Sequence, residues 1–285
     1  MVQTAPVELS RWARTRARPT VELLGILTSR ELRLRYRRTV LGWFWSTLNP
    51  LLMTAIYGVV FGALFRVQVP PGRASGITGF SYYLLAGLLP WNLLATALGG
   101  STLTIISNSH LVKRVRFRNE MLVVASVAAL AISLLIEISV LLGIVFLTEH
   151  VFSTTAIFGT VAMVVLLGTF VLGLALAISA LSVFLRDLQY LVNIGLTAWL
   201  YVSAVVYPIA LVPEHASFAG FAFPLRSIVR LNPMTDFIAA FRSILYDGMY
   251  PTSYQFLRLS LLSIVSLLVG SKIFGRLSGE FTNVL

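Results

Sequence analysis

The sequence predicts an all-α protein that crosses a membrane several times. Hydrophobic residues make up 57% of the 285 positions, charged residues make up 12%, and the mean hydropathy is +0.86. A soluble domain carries about twice that share of charged residues. The apolar residues also form segments of about 20 or more, the length that a helix needs to cross the ~30 Å hydrocarbon core of a bilayer. These observations favour a helical polytopic membrane protein over a soluble fold.

Six segments meet that length requirement. They are residues 43–65, 80–106, 121–148, 156–185, 190–212 and 254–274. Several exceed the minimum, which indicates tilted helices or helices that continue beyond the lipid. We therefore expect two parts, a cytoplasmic N-terminal segment over 1–42 and a transmembrane domain over 43–285.

The distribution of lysine and arginine predicts the orientation. Five arginines and one glutamate occur in residues 30–38, directly before the first apolar segment. Each arginine at the bilayer centre costs roughly 2.5–3.5 kcal/mol, so this run stays at the cytoplasmic surface. With the N-terminus inside, sixteen of the 22 basic residues lie on the cytoplasmic side. We therefore expect both termini to be cytoplasmic.

The residue types present exclude several kinds of site. The chain has no cysteine, and His110, His150 and His215 lack the spacings of metal ligands. It also has no G-x-x-x-x-G-K-[ST] phosphate loop, so any ATP would be hydrolysed by another chain. Basic residues beside the membrane explain the net charge of +11 without a nucleic-acid partner. We expect no catalytic residue, no metal and no cofactor bound by this chain.

Glu137 is the one acidic or basic residue well inside a predicted span. Charged residues at such positions are costly and are functional candidates. No lysine, arginine or histidine lies as deep within a span as Glu137, so a proton relay lacks its other members. We expect Glu137 to be protonated or hydrogen-bonded at a helix interface, which argues against an ion-driven transporter.

Residues 20–42 predict an amphipathic helix. One apolar stripe runs through Leu24, Thr28 and Leu32, and a second ridge includes Leu27 and Leu34. Such a helix would lie at the membrane interface on anionic lipid. The second ridge could in addition form the docking surface for a protein partner.

The predicted cytoplasmic loop, 107–120, mixes apolar and basic side chains. Asn108 or Ser109 can cap a short helix in which Leu111 and Val112 stand beside lysine and arginine. Orientation alone explains the basic residues. The interleaved apolar residues favour a helix that docks on a partner.

Residues 213–253, on the predicted outer side, are too long and too apolar for a plain loop. Breaks occur at Pro224 and at Asn232-Pro233, and the apolar pieces are 218–225, 228–231 and 237–245. Pieces of this length cannot cross a bilayer, so we expect short re-entrant or interfacial helices. The alternative is a folded extracellular cap on the helix ends.

Several short motifs follow one another along the chain. They are 35–43, 48–50 and 83–91, then Asn108, Leu111, Lys113, Arg114, Val115, Phe117 and Glu120, then Arg186-Asp187, Leu231-Asn232-Pro233 and Arg242. In this order and spacing they resemble the permease subunit of bacterial polysaccharide ABC exporters, the O-antigen and teichoic-acid type within the ABC-2 superfamily. The resemblance covers about residues 28–280.

That resemblance implies a homodimer that encloses a continuous channel in the bacterial cytoplasmic membrane. Two copies of a cytoplasmic ABC ATPase would bind the ATP and magnesium. The substrate would be an undecaprenyl-diphosphate-linked glycan, either O-antigen, teichoic acid or, because an arginine-rich composition suggests a high-GC genome, cell-wall galactan. The rivals are an ABC-2 drug or lipid exporter and a membrane-embedded glycosyltransferase, for which the outer acidic residues form no paired motif.

The resemblance also implies roles for particular residues. The ATPase-coupling residues would be Asn108, Leu111, Val112, Lys113, Arg114, Val115 and Phe117. The lipid diphosphate would be attracted to the channel entrance by Arg30, Arg33, Arg35, Arg37 and Arg38, because arginine binds phosphate oxygens bidentately. An outer gate would include Asn232, Pro233 and Arg242. Interfacial belts or the lining of a glycan path would contain the aromatic residues Trp43, Trp45, Tyr82, Tyr83, Trp91, Tyr201 and Tyr207.

Overall fold

The structure, a computed structural model, describes residues 20–36, 48, 51–52, 55–56, 58–67, 69–114, 118–149, 154–218 and 221–284. Ten of the 23 residues of the predicted first span, 43–65, therefore lie outside the described residues. The same holds for the chain before Thr20 and for the end of the predicted amphipathic helix after Tyr36.

Within these ranges the architecture is almost entirely helical. The helices are α1 Thr20–Tyr36, α2 Phe80–Ser107, α3 Ser109–Arg114, α4 Glu120–Glu149, α5 Thr154–Phe184, α6 Leu188–Val202, α7 Leu225–Leu231, α8 Pro233–Leu245, α9 Ser253–Leu277 and α10 Phe281–Val284. Short π- or 3₁₀-helical segments lie at Gly58–Leu64, Ile209–Leu211 and Ser278–Glu280. Two short antiparallel strands are β1 Ala216–Phe218 and β2 Phe221–Phe223.

Four of the described helical stretches are long and apolar enough to cross a membrane. They are Phe80–Ser107, Glu120–Leu147, Ile157–Phe184 and Ser253–Glu280. Four predicted spans coincide with them to within a few residues, because each is an uninterrupted apolar run longer than the core thickness requires. The chain is therefore a multi-pass helical membrane protein.

Helix α6 is shorter than the predicted span 190–212. It ends at Val202, and its 15 residues rise about 22 Å, less than the ~30 Å core. The chain turns at Ser203 and at Ala204, whose φ of 50° lies in the left-handed region. The prediction of one helix reaching Val212 is corrected here, because a left-handed residue ends a helix regardless of how apolar its sequence is.

The apolar piece 218–225, expected to be a short helix, contains part of a β-hairpin instead. Ala216 pairs with Phe223, and Phe218 pairs with Phe221. Phenylalanine at alternate positions favours a strand over a helix. The expected breaks are confirmed, since α7 begins directly after Pro224 and ends before Asn232.

Helix α8 lies inside the bundle, between α2, α5 and α9. Its side chains Phe237, Phe241 and Ile244 are almost completely buried. The ring of Phe237 packs on Phe170, near the middle of α5, with 5.3 Å between the ring centroids. At the other end of α8, Ile244 faces Gly159, near the start of α5. Helix α8 therefore runs along α5 in the opposite direction.

Helices α5 and α9 touch through their backbones. A Cβ placed on Gly270 of α9 would lie 2.6 Å from the carbonyl carbon of Gly173 in α5. The Ser266 hydroxyl donates a hydrogen bond of 2.7 Å to the carbonyl oxygen of Phe170. Small residues allow this close approach, which drives helix association in lipid through packing. The α5–α9 pair is the most extensive helix contact that the structure describes.

Helix α1 packs along α4, with Leu27 and Thr28 buried in the contact. Leu27 belongs to the ridge on which a separate protein partner was expected to dock. In the structure, residues of the same chain cover Leu27 instead. Leu34, on the same ridge, is exposed. The side of α1 that packs on the bundle therefore includes residues of both predicted ridges, Thr28 from the first and Leu27 from the second.

Candidate functional site

Asn108 joins the end of α2 to the start of α3. Its Nδ2 donates to the carbonyl oxygen of Thr104 at 2.9 Å, which satisfies one of the last acceptors of α2. Its own carbonyl oxygen accepts the N–H groups of Leu111 at 2.9 Å and Val112 at 3.2 Å. The side chain therefore caps the preceding helix, whereas the sequence suggested that it caps the short helix that follows.

Helix α1 meets this junction through Arg30. Both terminal guanidinium nitrogens of Arg30 donate to Oδ1 of Asn108, at 3.3 and 3.4 Å. Arg33, one turn later, is exposed, and its Nε donates to the carbonyl oxygen of Ser29 within α1. The two arginines therefore have different surroundings, one at a helix junction and one facing solvent.

Helix α3 has a buried side and an exposed side. Leu111 is 8% exposed and belongs to the core, and Val112 is half-buried against it. Helix α10 contacts α3, and its Phe281 is fully buried. His110 and Lys113 are exposed. The surface that the described part of α3 offers to a partner thus consists of polar residues, while Leu111 holds α3 on the bundle.

Some predicted site residues lie outside the described part of the chain. These are Arg37, Arg38, Trp43, Trp45, Val115 and Phe117, together with the side chains of Arg35 and Arg114. Among the residues that are described, no three histidine, aspartate or glutamate side chains come together in a way that could hold a metal ion.

Arg242 forms the centre of a second cluster, at the other end of α2. Its side chain is buried, and it donates hydrogen bonds to three carbonyl oxygens, those of Tyr83 at 3.3 Å, Ala204 at 3.0 Å and Val205 at 2.5 Å. The guanidinium carbon lies 3.8 Å from the centroid of the Tyr83 ring, a cation–π geometry. Gly87 leaves room for the guanidinium, since a Cβ there would come within 2.9 Å of it.

Asn232 adds a hydrogen-bonded corner to this cluster. Its Oδ1 caps α8 by accepting the N–H of Met234 at 3.1 Å, and it also accepts the indole N–H of Trp199 at 2.8 Å. Its Nδ2 donates to the carbonyl oxygen of Val202 at 3.2 Å. Pro233 occupies the first position of α8, where a missing N–H costs nothing.

Arg242 and Asn232 together complete the C-terminal end of α6. A helix leaves its last carbonyl groups without intrahelical partners and carries a partial negative charge there. The acceptors at this end, Val202, Ala204 and Val205, receive donors from those two side chains. The sequence motif Leu231-Asn232-Pro233 and Arg242 thus has a structural basis, which is to hold α6 and α8 together.

Residues before α2 are tied to the end of α8 as well. The Tyr246 hydroxyl donates to the carbonyl oxygen of Pro70 at 3.0 Å, and the Ser75 hydroxyl donates to the Tyr246 carbonyl. Burial raises the pKa of the Tyr246 phenol, and the neighbouring carboxylate of Asp247 raises it further. The phenol therefore keeps the proton that its hydrogen bond needs.

Two of the aromatic residues predicted for a glycan path are packed inside the bundle. Trp91 is 5% exposed and contacts Trp199 edge to face, with 6.2 Å between the centroids. Tyr83 lies under the Arg242 guanidinium and meets the Tyr246 ring edge to face at 5.4 Å. In this conformation both side chains contribute to packing.

The other described aromatic candidates are more accessible. Tyr201, on α6, is 63% exposed. Tyr207 and Tyr82 are half-buried, and the Tyr207 hydroxyl donates to the carbonyl oxygen of Tyr201. Of these, Tyr201 presents the largest surface for a ligand.

Helix α6 has no buried residue. Its exposed side chains include polar and aromatic groups, namely Tyr190, Asn193, Thr197 and Tyr201. Asn193 and Thr197 are not among the residues predicted from the sequence, although two polar residues one turn apart within an apolar segment are a signal for such a site.

The exposed side of α9 differs in composition. Its exposed large side chains between Phe256 and Val269 are all apolar, and they are Phe256, Leu257, Leu261, Ile264, Val265, Leu268 and Val269. Such a surface suits hydrocarbon. The two exposed helix faces therefore suit different surroundings.

Known proteins resemble this chain over most of its length. A model of the ABC-2 type transporter family matches residues 22–246. An O-antigen export system permease protein RfbA from Myxococcus xanthus is 31% identical over 260 residues, which cover 91% of this chain and 94% of that protein. Two proteins of the same name from Klebsiella pneumoniae are each 26% identical over 265 residues, covering 93% of this chain and 95% of theirs.

These matches confirm the resemblance found in the motifs. The family model extends across nearly all of the N-terminal helix, three of the four described membrane-crossing stretches and most of the segment between α6 and α9. The chain therefore belongs to the ABC-2 type transporter family and is the membrane subunit of a transporter rather than an enzyme.

Proposed function

We propose that this chain is the permease of an ATP-driven exporter that moves a polysaccharide linked to undecaprenyl diphosphate across the bacterial cytoplasmic membrane. The observation that carries the proposal is its similarity to permeases named for O-antigen export, which covers 91–93% of the chain. The ABC-2 family model matches nearly all of the N-terminal helix and most of the region between α6 and α9. Teichoic acid and galactan are further members of the same substrate class.

Helix α6 supports a path between two copies of the chain. Polar side chains in contact with hydrocarbon are costly, whereas the same side chains are stable beside water or a second subunit. We place the exposed face of α6, with Asn193, Thr197 and Tyr201, along the glycan path of a homodimer. Tyr82 and Tyr207 would lie beside it, and Trp43 and Trp45 would belong to the same lining.

Helices α7 and α8 would form the outer gate, entering the membrane from the outer side and returning. Support comes from the contact of Phe237, near the start of α8, with Phe170 at mid-length of α5, while Ile244 lies near the start of α5. Backbone that is not in a full span is tolerated at membrane depth where protein satisfies its polar groups. Asn232 and Arg242 supply such partners.

The cytoplasmic side would carry the ATPase contacts and both termini. Two copies of an ABC ATPase, which bind the ATP and magnesium, would dock at residues 108–118, with Lys113 as an exposed contact among the predicted coupling residues. The N-terminal segment 1–42 would lie against the lipid headgroups. Arg33, Arg35, Arg37 and Arg38 are then placed to attract the lipid diphosphate, because guanidinium groups bind phosphate bidentately.

A deletion strain tests this function. Without the chain, we expect lipid-linked glycan to accumulate on the cytoplasmic leaflet and the surface polysaccharide to disappear, with both reversed by the gene in trans. The measurement is extraction of the lipid-linked pool together with lectin or antibody staining of intact cells. Unchanged surface glycan together with a lost export of drug or free lipid would contradict the proposal.

Thiol labelling tests the α6 path. Because the chain has no cysteine, Asn193→Cys introduces a single thiol, and a bulky maleimide on it is expected to reduce export to the level of the deletion strain. The matched control is Leu261→Cys on the apolar face of α9, where the same reagent should leave export unchanged. Full export by labelled Asn193→Cys would place the path elsewhere.

A further inference from the structure

We propose that the hydrogen bonds between Arg30 and Asn108 pass the movement of α3 to the N-terminal helix α1, so that ATP use sets the position of α1. This inference rests on the proposed function in one respect, which is that an ATPase docks at α3. The residues that carry it are the two partners themselves and the helices to which they are attached.

Asn108 is bound to three helices at once. Its Nδ2 holds the last turn of α2 through Thr104, and its carbonyl oxygen starts α3 through Leu111. Its Oδ1 receives both terminal nitrogens of Arg30 from α1. The side-chain amide thus joins α1 to the last turn of α2, and the backbone carbonyl of the same residue joins that turn to α3, so a shift of α3 that turns Asn108 moves the acceptor that Arg30 binds.

Helix α1 is suited to respond as a rigid element. Leu27 and Thr28 are buried where α1 packs on α4. This contact lies about one helical turn before Arg30 along α1. The half-buried Arg30 provides a second attachment, to the α2–α3 junction. A helix held at two points follows the displacement of either point, as coupling between sites requires an unbroken physical connection.

The contact also gives the arginines of residues 30–38 two different roles. Arg30 turns its guanidinium towards Asn108, whereas Arg33 is exposed and bonds only the carbonyl of Ser29 among its described partners. A phosphate at the membrane surface would reach Arg33 without disturbing the junction. Arg30 is thus a positioning residue, and the arginines that follow it are the candidates for substrate contact.

Spin labels test the connection directly in the reconstituted complex with its ATPase. The labels are placed on exposed residues of the two helices, by Gly25→Cys on α1 and His110→Cys on α3, in a chain without other cysteines. Within each chain of the homodimer we expect a narrow label-to-label distance distribution that ATP leaves unchanged, because α1 and α3 move together; distances between the two chains are assigned from the singly labelled Gly25→Cys and His110→Cys dimers. With Arg30→Ala added, the distribution should broaden and shift with ATP. The same distribution in both backgrounds would overturn the proposal.

A double-mutant cycle provides the functional readout. Arg30→Ala and Asn108→Ala are each expected to lower the glycan exported per ATP hydrolysed by about threefold to tenfold, and Arg30→Ala, which lies outside the docking segment, should leave ATPase recruitment in a pull-down unchanged. The double variant should be no worse than either single variant, and Arg30→Lys, which keeps one donor, should be intermediate. Ser29→Ala, an exposed neighbour bonded within α1, is the control. Effects that multiply, or no effect, would overturn the proposal.

The two readouts separate this inference from the proposed function. A complex that hydrolyses ATP but exports no lipid-linked glycan would contradict the function, while the label distances still decide whether α1 follows α3. A chain that recruits no ATPase would overturn both.

Discussion

Replacing Gly270 with valine is expected to prevent α5 and α9 from packing, with a loss of about 3 kcal/mol or more. A Cβ at this position falls on the carbonyl group of Gly173, whose Cα is 2.8 Å away, so the two backbones must separate. Separation also breaks the hydrogen bond from Ser266 to Phe170. The measurement is the yield of monodisperse protein in detergent and its thermal unfolding temperature.

The control for this experiment lies five residues further along α9. Gly275 has no atom near the position of a Cβ, so Gly275→Val adds the same side chain without a collision. Its unfolding temperature should match that of the original chain. A Gly270→Val protein that is equally stable would show that α5 and α9 do not touch through their backbones.

Replacing Arg242 with leucine is expected to be nearly as damaging, at roughly 3 kcal/mol or more. The substitution keeps an apolar volume but removes three donors at once, leaving the carbonyl oxygens of Tyr83, Ala204 and Val205 without them. A buried carbonyl without a partner retains its full desolvation cost. Stability in detergent and export in cells should both fall.

Two comparison variants identify the cause. Arg230→Leu removes an exposed arginine from the neighbouring helix α7 and should leave stability within about 0.5 kcal/mol. Arg242→Lys keeps the charge but cannot reach three acceptors in one plane, so it should recover only part of the loss. If Arg242→Lys were fully stable, the positive charge alone would account for the role of this residue.

The long spans could be predicted because each depends on its own residues. Stretches such as Glu120–Leu147 are apolar throughout, and their length alone determines that they cross the bilayer. The breaks at Pro224 and Asn232-Pro233 were equally local, since proline lacks the N–H donor of a helix interior and commonly breaks or kinks a helix. These features needed no knowledge of what lies beside them in space.

The end of α6 could not be predicted in that way. Pro208 was a local signal for a break, but nothing in the sequence indicates an end six residues earlier, at Val202. The partners that stabilise this end, Asn232 and Arg242, lie 30 or more residues further on. The pairing of Arg30 with Asn108 is likewise a contact across 78 positions. The sequence shows Leu111 within an apolar–basic pattern. Whether its side chain faces a partner or the bundle depends on the distant helix α10.

The shortness of α6 has a consequence for how the protein is made. When this helix leaves the ribosome, the carbonyl groups of Val202, Ala204 and Val205 lack the donors that Asn232 and Arg242 provide in the folded chain, because those residues are not yet synthesised. Hydrocarbon does not accept such groups. We therefore expect the end of α6 to stay beside water or the insertion machinery until α8 has been translated and joins it, so that this region enters the membrane late and together.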